Sequence, residues 1–224
     1  MTDHPPPSAR TRIRRIARNA DYAPGTVRAI VDDAHVCQVA FVDDDGGVHC
    51  IPTACWRDGD HLVIHGSNGS RMVRRLAAGA PVCVTIALVD GLVLARSAFN
   101  HSMNYRSVIV YGRFECVPDE RKAALMDRFM DHLVPGRRDE ARPGDANELA
   151  ATTLLRLPLR EAAAKVRRGG PEDDEADLAL PVWAGVVPIA RAFGAPVPAA
   201  GVTRPEPASV RALVERHAAR VTGS

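Results

Sequence analysis

Aromatic residues are scarce in this chain: phenylalanine, tryptophan and tyrosine make up 4% of its 224 residues. Proteins that bind single-stranded nucleic acid stack the bases on aromatic side chains, so this scarcity argues against such a platform. The charge is nearly balanced, with 29 lysines and arginines against 27 aspartates and glutamates, a formal net charge of +2. Because no long basic run is present either, we expect no nucleic-acid partner.

Long apolar stretches are also missing. No run approaches the ~20 residues that span a bilayer, and the N-terminal segment lacks the apolar core of a secretion signal. The cysteines are scattered through apolar, strand-like segments without a Cys-x-x-Cys pair, which indicates neither a disulfide framework nor a zinc site. They are Cys37, Cys50, Cys55, Cys83 and Cys116. We expect a cytoplasmic protein with buried thiols and no membrane contact.

Several motifs of catalysis and nucleotide binding are absent: the Walker phosphate loop, Gly-x-Gly-x-x-Gly, His-Glu-x-x-His and Gly-x-Ser-x-Gly. We expect no metal site, because no carboxylate–histidine spacing has ligand character. His49, His65 and His101 raise the question of haem. A lone histidine is more often a hydrogen-bonded polar group than a ligand, but haem stays open. No catalytic residue is assigned, as expected where a bound cofactor carries the chemistry.

The apolar pattern predicts about seven or eight strands with helices inserted singly, which favours a mainly β fold of the α+β class, a small barrel with helices. We expect residues 1–19 to form a flexible basic arm and residues 20–192 to form the barrel. Residues 193–224 are expected to form a proline-rich linker with a final helix. Asp90-Gly91 predicts a hairpin turn. One further strand is predicted between Thr153 and Val166.

The most informative segment is residues 65–72, where a strand end passes through a Gly/Ser-rich turn into a helix. Ser70 is the predicted N-cap. Gly66 and Ser67 supply N–H and hydroxyl groups, and Arg71 adds a planar cation, all close to a helix N-terminus. Such groups suit a phosphate. An ordinary capped turn with a solvated basic helix face explains the same residues.

This strand, the Ser70-Arg71 pair, the helix and the next strand resemble the FMN-phosphate segment of the pyridoxamine 5'-phosphate oxidase superfamily. The stretch 95–107 resembles the nitroimidazole-reductase-like branch of that superfamily, and Gly112-Arg113 matches its Gly-Arg strand end. The similarity runs from about residue 20 to residue 190. The chain departs from the oxidases at one point, since they carry Arg-Lys where it has Arg71-Met72.

The resemblance implies an FMN-binding split β-barrel that forms a homodimer with the flavin between subunits. It also implies redox chemistry on a small-molecule substrate. The residues that it assigns to cofactor binding are Ile51, Pro52, Thr53, Ala54, His65, Gly66, Ser67, Ser70, Arg71, Tyr105, Arg106, Ser107, Lys165 and Trp183. Each has a structural alternative: an ordinary edge strand explains Pro52, a surface loop explains the group at Tyr105, and core packing explains Trp183. A flavin carrier without turnover and a haem-binding or small-ligand-binding protein remain alternative functions.

Overall fold

A computed structural model describes residues 4–222 of the chain, with side chains described as far as residue 216. The described residues form a ten-stranded antiparallel sheet and five α-helices, which confirms the predicted α+β split β-barrel. The strands are β1 (Ala20–Asp21), β2 (Val36–Val42), β3 (Val48–Asp58), β4 (His61–Ser67), β5 (Pro81–Leu94), β6 (Ser102–Arg113), β7 (Glu115–Cys116), β8 (Thr152–Pro158), β9 (Ala162–Arg167) and β10 (Gly185–Pro188). The helices are α1 (Pro24–Asp32), α2 (Arg71–Ala77), α3 (Asp119–Leu133), α4 (Ala146–Ala150) and α5 (Ala208–Thr222).

Strand β3 divides the sheet into two parts. The strand order is β1-β9-β6-β5-β2-β3-β4-β8-β7, with β10 paired to the end of β5. Residues 48–54 of β3 pair with β2, whereas residues 55–58 pair with β4. Among the described strands, residues 48–54 therefore have one neighbour and one open edge. Pro52, which cannot donate to a ladder, lies in this edge region, where proline is tolerated.

One apolar cluster fills the inside of the barrel. Helix α1 contributes Val27, Ile30 and Val31, which are at most 3% exposed and recur at helical spacing. Cys37 and Cys55 are buried in the same cluster. A hydrogen bond with Cys55, together with burial, raises the pKa of the Cys37 thiol, so that thiol stays protonated.

The expectation that all five thiols are buried is wrong for two of them. Cys50 and Cys116 are exposed, and Cys83 is half-buried. Cys50 pairs with Ala40, one position along from the core pair Ile51–Val39, so strand alternation turns its side chain away from the core. Cys116 lies in the two-residue strand β7 at the end of the sheet.

The predicted hairpin at Asp90-Gly91 is also wrong. Strand β5 runs on to Leu94 and pairs with β6 on both sides of a register shift between Val89 and Gly91. A β-bulge absorbs the extra residue. Gly91 lies under β10, where an added Cβ would be 3.1 Å from the Val187 carbonyl oxygen. Long-range contacts thus replaced the local turn.

The strand predicted between Thr153 and Val166 differs from the observed structure. The single strand predicted within residues 153–166 is two strands, β8 and β9, separated by a short 3₁₀ turn at Leu159–Glu161.

The segment predicted as a flexible arm makes specific contacts over its described part. Thr11 is 3% exposed, the Ile13 N–H donates to the Tyr22 hydroxyl at 2.9 Å, and the Arg10 guanidinium lies 5.2 Å from the centre of the Tyr111 ring. Residues 1–3 of that arm, and residues 223–224 of the predicted C-terminal segment, lie outside the described residues.

The chain divides into two compact units, of which the barrel comprises residues up to 117 and residues 152–189. The second unit comprises residues 118–151 and the chain from residue 190 onwards. Within it, α4 begins with a capping box of Asp145 and Glu148, and Ser209 at the start of α5 donates to the Glu140 carboxylate. No helix within residues 4–222 has the length and apolar character needed to cross a membrane.

Candidate functional site

The turn between β4 and α2 has the local geometry predicted from the sequence. The Ser70 N–H donates to the Ser67 carbonyl oxygen at 2.9 Å, which closes the turn. The Ser70 hydroxyl accepts a hydrogen bond from the Val73 N–H at 3.4 Å, so Ser70 is the N-cap of α2. Cap and turn together start the helix directly after the strand, so that Arg71 occupies its first position.

Gly66 allows α2 to pack closely on β4. A Cβ at this position would be 2.6 Å from Cγ2 of Val73, a distance that no real side chain tolerates. Val73 is itself buried, at 2% exposure, and belongs to the core cluster. Glycine at position 66 therefore sets the distance between strand and helix, and with it the position of the turn.

The cationic side chains of α2 differ in their partners. Arg71 and Arg74 are exposed and, among the described residues, have neither an ion pair nor a side-chain hydrogen bond. They are three positions apart and are neighbours on the helix surface. Arg75 is engaged, since its guanidinium donates to the Val42 carbonyl oxygen at 3.1 Å and pairs with Asp44. Two guanidinium groups are thus available to an anion at this end of the barrel.

Met72 packs against the core cluster. It occupies the position at which the resemblance expects a lysine in the oxidases. The side chain here contributes apolar contact instead of charge, so Arg71 and Arg74 are the cations of the turn. A seven-residue helix such as α2 has a small macrodipole, which leaves these side chains as the main source of positive potential.

Residues 51–54 of β3 follow the open edge of that strand. Ile51 and Thr53 pair with Val39 and Cys37 of β2 on the core side of the sheet, and Ile51 packs against the core cluster. Pro52 and Ala54 point to the opposite face because side chains alternate along a strand. Backbone groups on the open edge have no strand partner among the described residues and are free to meet a ligand.

Three other predicted residues share a face with Pro52. The pairs Pro52–Gln38, Gln38–Thr85 and Thr85–Ile109 connect four strands side by side. We call this side of the sheet, opposite to the core, the outer face. Tyr105 and Ser107 lie on it, since they are an even number of residues from Ile109, and Lys165 lies beside Ser107. The Ser107 hydroxyl donates to the Lys165 carbonyl oxygen at 3.3 Å.

Arg106 points to the other side of the sheet and is engaged in ion pairs. Its guanidinium donates two hydrogen bonds of 2.8 Å to the Asp90 carboxylate and a third to Asp33. These carboxylates, Asp90 first, raise the pKa of Arg106 further above its ordinary value. The pairs tie the β5 bulge to the end of α1, which gives Arg106 a structural role. Its predicted contact with a flavin stays a prediction.

His65, directly before the turn, and Trp183, in the chain before β10, have different surroundings. The His65 ring is half-buried beside Trp56, with ring centres 5.7 Å apart, and burial lowers the pKa of His65 so that the neutral ring is favoured. Trp183 is 66% exposed, and its ring lies over Gly185 at the start of β10. Core packing, the structural alternative for Trp183, does not describe this exposed ring.

The predicted residues therefore form two groups within one chain. One comprises the turn at Gly66–Arg71 and the β3 edge, and the other comprises Tyr105, Ser107 and Lys165. Three strand spacings, ~14 Å measured along the sheet, separate the β3 edge from the residues of β6. Two cavities that the sequence did not indicate lie beside residues 158–162, at the end of β8 and the start of β9.

The sequence model of the pyridoxamine 5'-phosphate oxidase family matches residues 24–166, which is almost two thirds of the chain. The chain belongs to the pyridoxamine 5'-phosphate oxidase family. The matched residues include every predicted site residue except Trp183. No protein with a curated function matches the chain.

The solved structures of two proteins are similar to this chain over most of its length. One is described as the FAD and heme binding protein from Mycobacterium smegmatis; it is 38% identical, with 88% of this chain and 97% of that chain covered and a TM-score of 0.83. The other is the flavocytochrome Anf3 from Azotobacter vinelandii, also 38% identical, with 92% and 97% covered and a TM-score of 0.86.

A third structure shares the fold at lower identity. It is a Bacteroides thetaiotaomicron protein provisionally assigned to 5-nitroimidazole antibiotic resistance, 20% identical, with 66% of this chain and 86% of that chain covered and a TM-score of 0.54. The family assigned from the sequence motifs is confirmed by the family model. The third structure shows the shared fold, and the nitroimidazole-reductase-like branch stays a prediction.

Proposed function

We propose that this protein binds a flavin and a haem and transfers electrons through them. The observation that carries the proposal is the 38% identity, over about nine tenths of the chain, to an FAD and heme binding protein and to a flavocytochrome. The proposal joins the flavoprotein expected from the sequence with the haem-binding alternative that the histidines left open. Turnover of a small-molecule substrate is a separate property, which can be followed through the absorbance of the bound flavin and haem.

The residues around the β4–α2 turn fit the phosphate end of a flavin. Arg71 and Arg74 have no partners among the described side chains, and the turn offers the Ser67 and Ser70 hydroxyls beside them. A guanidinium donates to phosphate in a planar fork, which suits a solvent-exposed anion. A bound flavin would supply the hydride or electron chemistry. Arg71 and Arg74 would hold the phosphate of the flavin, and the backbone of residues 51–54 would hold the edge of the flavin ring.

The same residues serve FMN and FAD, because both flavins share the ring system and the first phosphate. The resemblance read from the sequence favours FMN. The M. smegmatis relative is described as binding FAD, and we therefore propose FAD for this chain. Chromatography of the flavin released from denatured protein separates the two, since FAD carries an additional adenylate.

We also propose that the flavin lies between two copies of the chain. The outer face exposes apolar side chains that a single barrel leaves uncovered: Val36 at 47%, Val42 at 45%, Val48 at 80%, Val89 at 44% and Ile109 at 38%. Covering such a face is favourable at about 25 cal/mol per Å² of apolar surface. In a dimer, one subunit's turn and β3 edge could be completed by residues such as Tyr105 and Lys165 of the other.

An absorption spectrum of the purified protein tests the proposed function. We expect two broad flavin bands, in the near-ultraviolet and the blue, together with a sharp Soret band. Bleaching of the flavin bands by NADH or NADPH, followed by a shift of the Soret band, would support electron transfer between the groups. Bleaching that fails with both donors would favour a carrier. Absence of flavin after incubation with FAD and with FMN would contradict the proposal.

A further inference from the structure

We infer that the N-terminal arm and the barrel together form a second anion site, which binds a small phosphate compound with two or more negative charges. The site is a cavity of about 460 Å³, within the range of ~300–1,000 Å³ typical of small-molecule sites. Its walls come from three segments of the barrel unit: residues 8–10, residues 111–113 at the end of β6, and the end of β8 with the turn that follows it. None of the lining residues belongs to the β4–α2 turn or to the β3 edge, so the inference adds a ligand to those of the proposed function.

The cavity carries an excess of positive charge. Arg10, Arg113 and Arg160 line it, against the single carboxylate of Glu161. Glu161 accepts a hydrogen bond from the Ser8 hydroxyl, and among the described residues no ion pair joins it to any of the three arginines. Like charges that are held together repel one another, and a bound counter-charge relieves this repulsion. Two uncompensated positive charges therefore suit an anion that carries two or more negative charges.

The contacts of the three guanidinium groups leave their charge uncompensated. Arg10 lies 5.2 Å from the centre of the Tyr111 ring, and such a cation–π contact uses none of its five N–H donors. Arg113 donates one hydrogen bond to the Gly79 carbonyl oxygen, which is a neutral acceptor. Arg160 has no ion pair or side-chain hydrogen bond among the described residues. All three arginines therefore keep N–H donors for a ligand.

Other arginines of the barrel are neutralised by a nearby carboxylate. Arg57 pairs with Asp32 at 2.7 Å, and Arg96 pairs with Asp173 at 2.6 Å. A paired guanidinium would have to exchange one anion for another in order to bind a ligand, whereas an unpaired one would not. The cavity thus shares with the β4–α2 turn the feature that suits a phosphate, namely neighbouring arginines without a carboxylate partner.

The arm is held against the barrel by specific contacts, so the cavity is formed without a ligand. The Ser8 N–H donates to the Thr11 hydroxyl oxygen at 2.9 Å, and that hydroxyl donates to the Ser8 carbonyl oxygen at 3.0 Å. Thr11 is 3% exposed, and the Ser8 hydroxyl donates to Glu161. These contacts fix the short turn that carries Arg10. Because the arm and the barrel both supply arginines, a bound ligand would connect them and stabilise the fold by mass action.

The donors of the cavity suit phosphate oxygens. A guanidinium presents parallel N–H donors that match two oxygens of one phosphate group. A phosphate ester carries about two negative charges at pH 7, which matches the excess charge of the cavity. The net charge of +2 and the scarcity of aromatic residues argue against a nucleic-acid strand as the source of the phosphate. We therefore assign the site to a small molecule.

Isothermal titration calorimetry with inorganic pyrophosphate, and with AMP in parallel, tests the inference. The full-length protein is first saturated with FAD, so that the β4–α2 turn is occupied, and sodium chloride keeps the ionic strength constant. We expect the wild type to bind pyrophosphate or AMP without releasing FAD. Arg10→Ala and Arg160→Ala should each weaken this binding ~10-fold. Arg12→Ala and Arg168→Ala are the matched controls, since each removes one exposed arginine outside the cavity, and both should keep wild-type affinity.

Glu161→Gln tests the role of charge in the opposite direction. The substitution removes the negative charge of the cavity, while the amide oxygen can still accept the hydrogen bond from Ser8. We expect this variant to bind pyrophosphate several-fold more tightly than the wild type. Weaker or unchanged binding would contradict a site in which excess positive charge attracts the ligand.

Each result decides between defined outcomes. Equal weakening in Arg12→Ala and Arg168→Ala would mean that the anions respond only to overall charge, and it would overturn the inference. Absence of binding of both anions, or release of FAD by them, would overturn it as well and leave the proposed function intact. A protein that takes up no flavin contradicts the proposed function, whereas pyrophosphate binding that depends on Arg10 and Arg160 would still support the second site. If circular dichroism shows that Arg10→Ala perturbs the fold, Arg160→Ala decides, because its side chain has no hydrogen bond or ion pair to lose among the described residues.

Discussion

At the scale of single residues, the three arginines of α2 show how local partners decide which charge is available to a ligand. Arg75 is held by the Val42 carbonyl oxygen and Asp44, whereas Arg71 and Arg74 have no partner among the described residues. Only an uncommitted guanidinium can donate to a phosphate without first breaking an ion pair. The sequence shows three similar side chains, and the structure separates them into one structural and two available cations.

We predict that Arg71→Ala weakens flavin binding without unfolding the protein. Hydrogen bonds to charged groups contribute roughly 1.5–3 kcal/mol, so the dissociation constant should rise ~10- to 100-fold. Fluorescence titration of the apoprotein with FAD measures this change. Arg75→Ala, on the same helix but engaged with Asp44, is the control and should change affinity less. Wild-type affinity in Arg71→Ala would mean that the phosphate binds elsewhere.

Asp173 is a second residue with a measurable signature. Its side chain is 2% exposed and accepts from the Arg96 N–H at 2.8 Å and from the Arg96 guanidinium at 2.6 Å. The backbone hydrogen bond from Arg96 is the largest of the causes that lower the pKa of Asp173. The folded-state pKa is thus below the ordinary value of ~3.9. The stabilisation is fully present above that value and is lost as pH falls through the folded-state pKa.

We therefore predict that Asp173→Asn lowers the melting temperature at pH 7 and that the difference from wild type narrows below about pH 4. Thermal melts followed by circular dichroism between pH 3 and pH 7 provide the measurement. Asp174→Asn, a change at the exposed neighbouring residue, should have little effect across this range. A difference that stays constant with pH would show that the ionised carboxylate of Asp173 is not the stabilising form.

At the scale of elements, the packing of α2 on β4 depends on one glycine. Gly66 leaves room for Val73, which is 2% exposed and part of the core. Any side chain at position 66 pushes the helix away from the strand and moves the turn that carries Ser70 and Arg71. The stability of the barrel and the geometry of the phosphate segment are therefore coupled through the same contact.

We predict that Gly66→Ala destabilises the protein by roughly 1–3 kcal/mol, the usual cost of overpacking a core, and weakens flavin binding as well. Adding Val73→Ala should recover part of the flavin affinity because it removes the clashing methyl group. Urea unfolding and FAD titration of the two single variants and the double variant measure both effects. Gly69→Ala is the control, since its Cβ would be 3.7 Å from the nearest atom, the Ser67 hydroxyl oxygen. Additive effects in the double variant would contradict the coupling.

At the scale of the whole molecule, the outer face is the feature that one barrel leaves unexplained. Exposed valines and Ile109 lie on the same face as the half-buried Tyr105, Ser107 and Lys165. A second copy would cover this face and bring the two groups of predicted site residues together from different subunits. An interface of this kind would bury ~2,000 Å² or more and would be largely apolar.

We predict that Ile109→Arg dissociates the proposed dimer and reduces flavin occupancy with it. An uncompensated buried charge costs roughly 3–5 kcal/mol, so the dimer dissociation constant should rise ~100-fold or more. Light scattering across a dilution series, with flavin absorbance recorded on the same samples, measures both. Val197→Arg, at a residue 91% exposed in the C-terminal segment, should leave assembly unchanged. A wild-type protein that is monomeric with full flavin occupancy would contradict the two-subunit site.

Much of the fold follows from short-range patterns in the sequence. The pattern of strands and the Ser70 cap each depend on residues within a few positions of one another, and each is confirmed. The motifs around residues 65–72 and 95–107 were sufficient to assign the family. The flavin contacts named from those motifs stay predictions, since they depend on a ligand and a partner subunit.

Contacts between distant segments decided the rest. Asp90-Gly91 became a bulge because Arg106 and β10 bind that point of β5 from elsewhere in the chain. Arg106 donates hydrogen bonds to the carboxylates of Asp90 and Asp33, which are distant from it in the sequence. No local sequence pattern predicts these contacts. The cavity lined by Arg10 and Arg160 exists only because the N-terminal arm, the end of β6 and the turn after β8 meet in space. Local sequence determines which element a segment forms, but register and long-range packing determine which side chains remain free to bind a ligand.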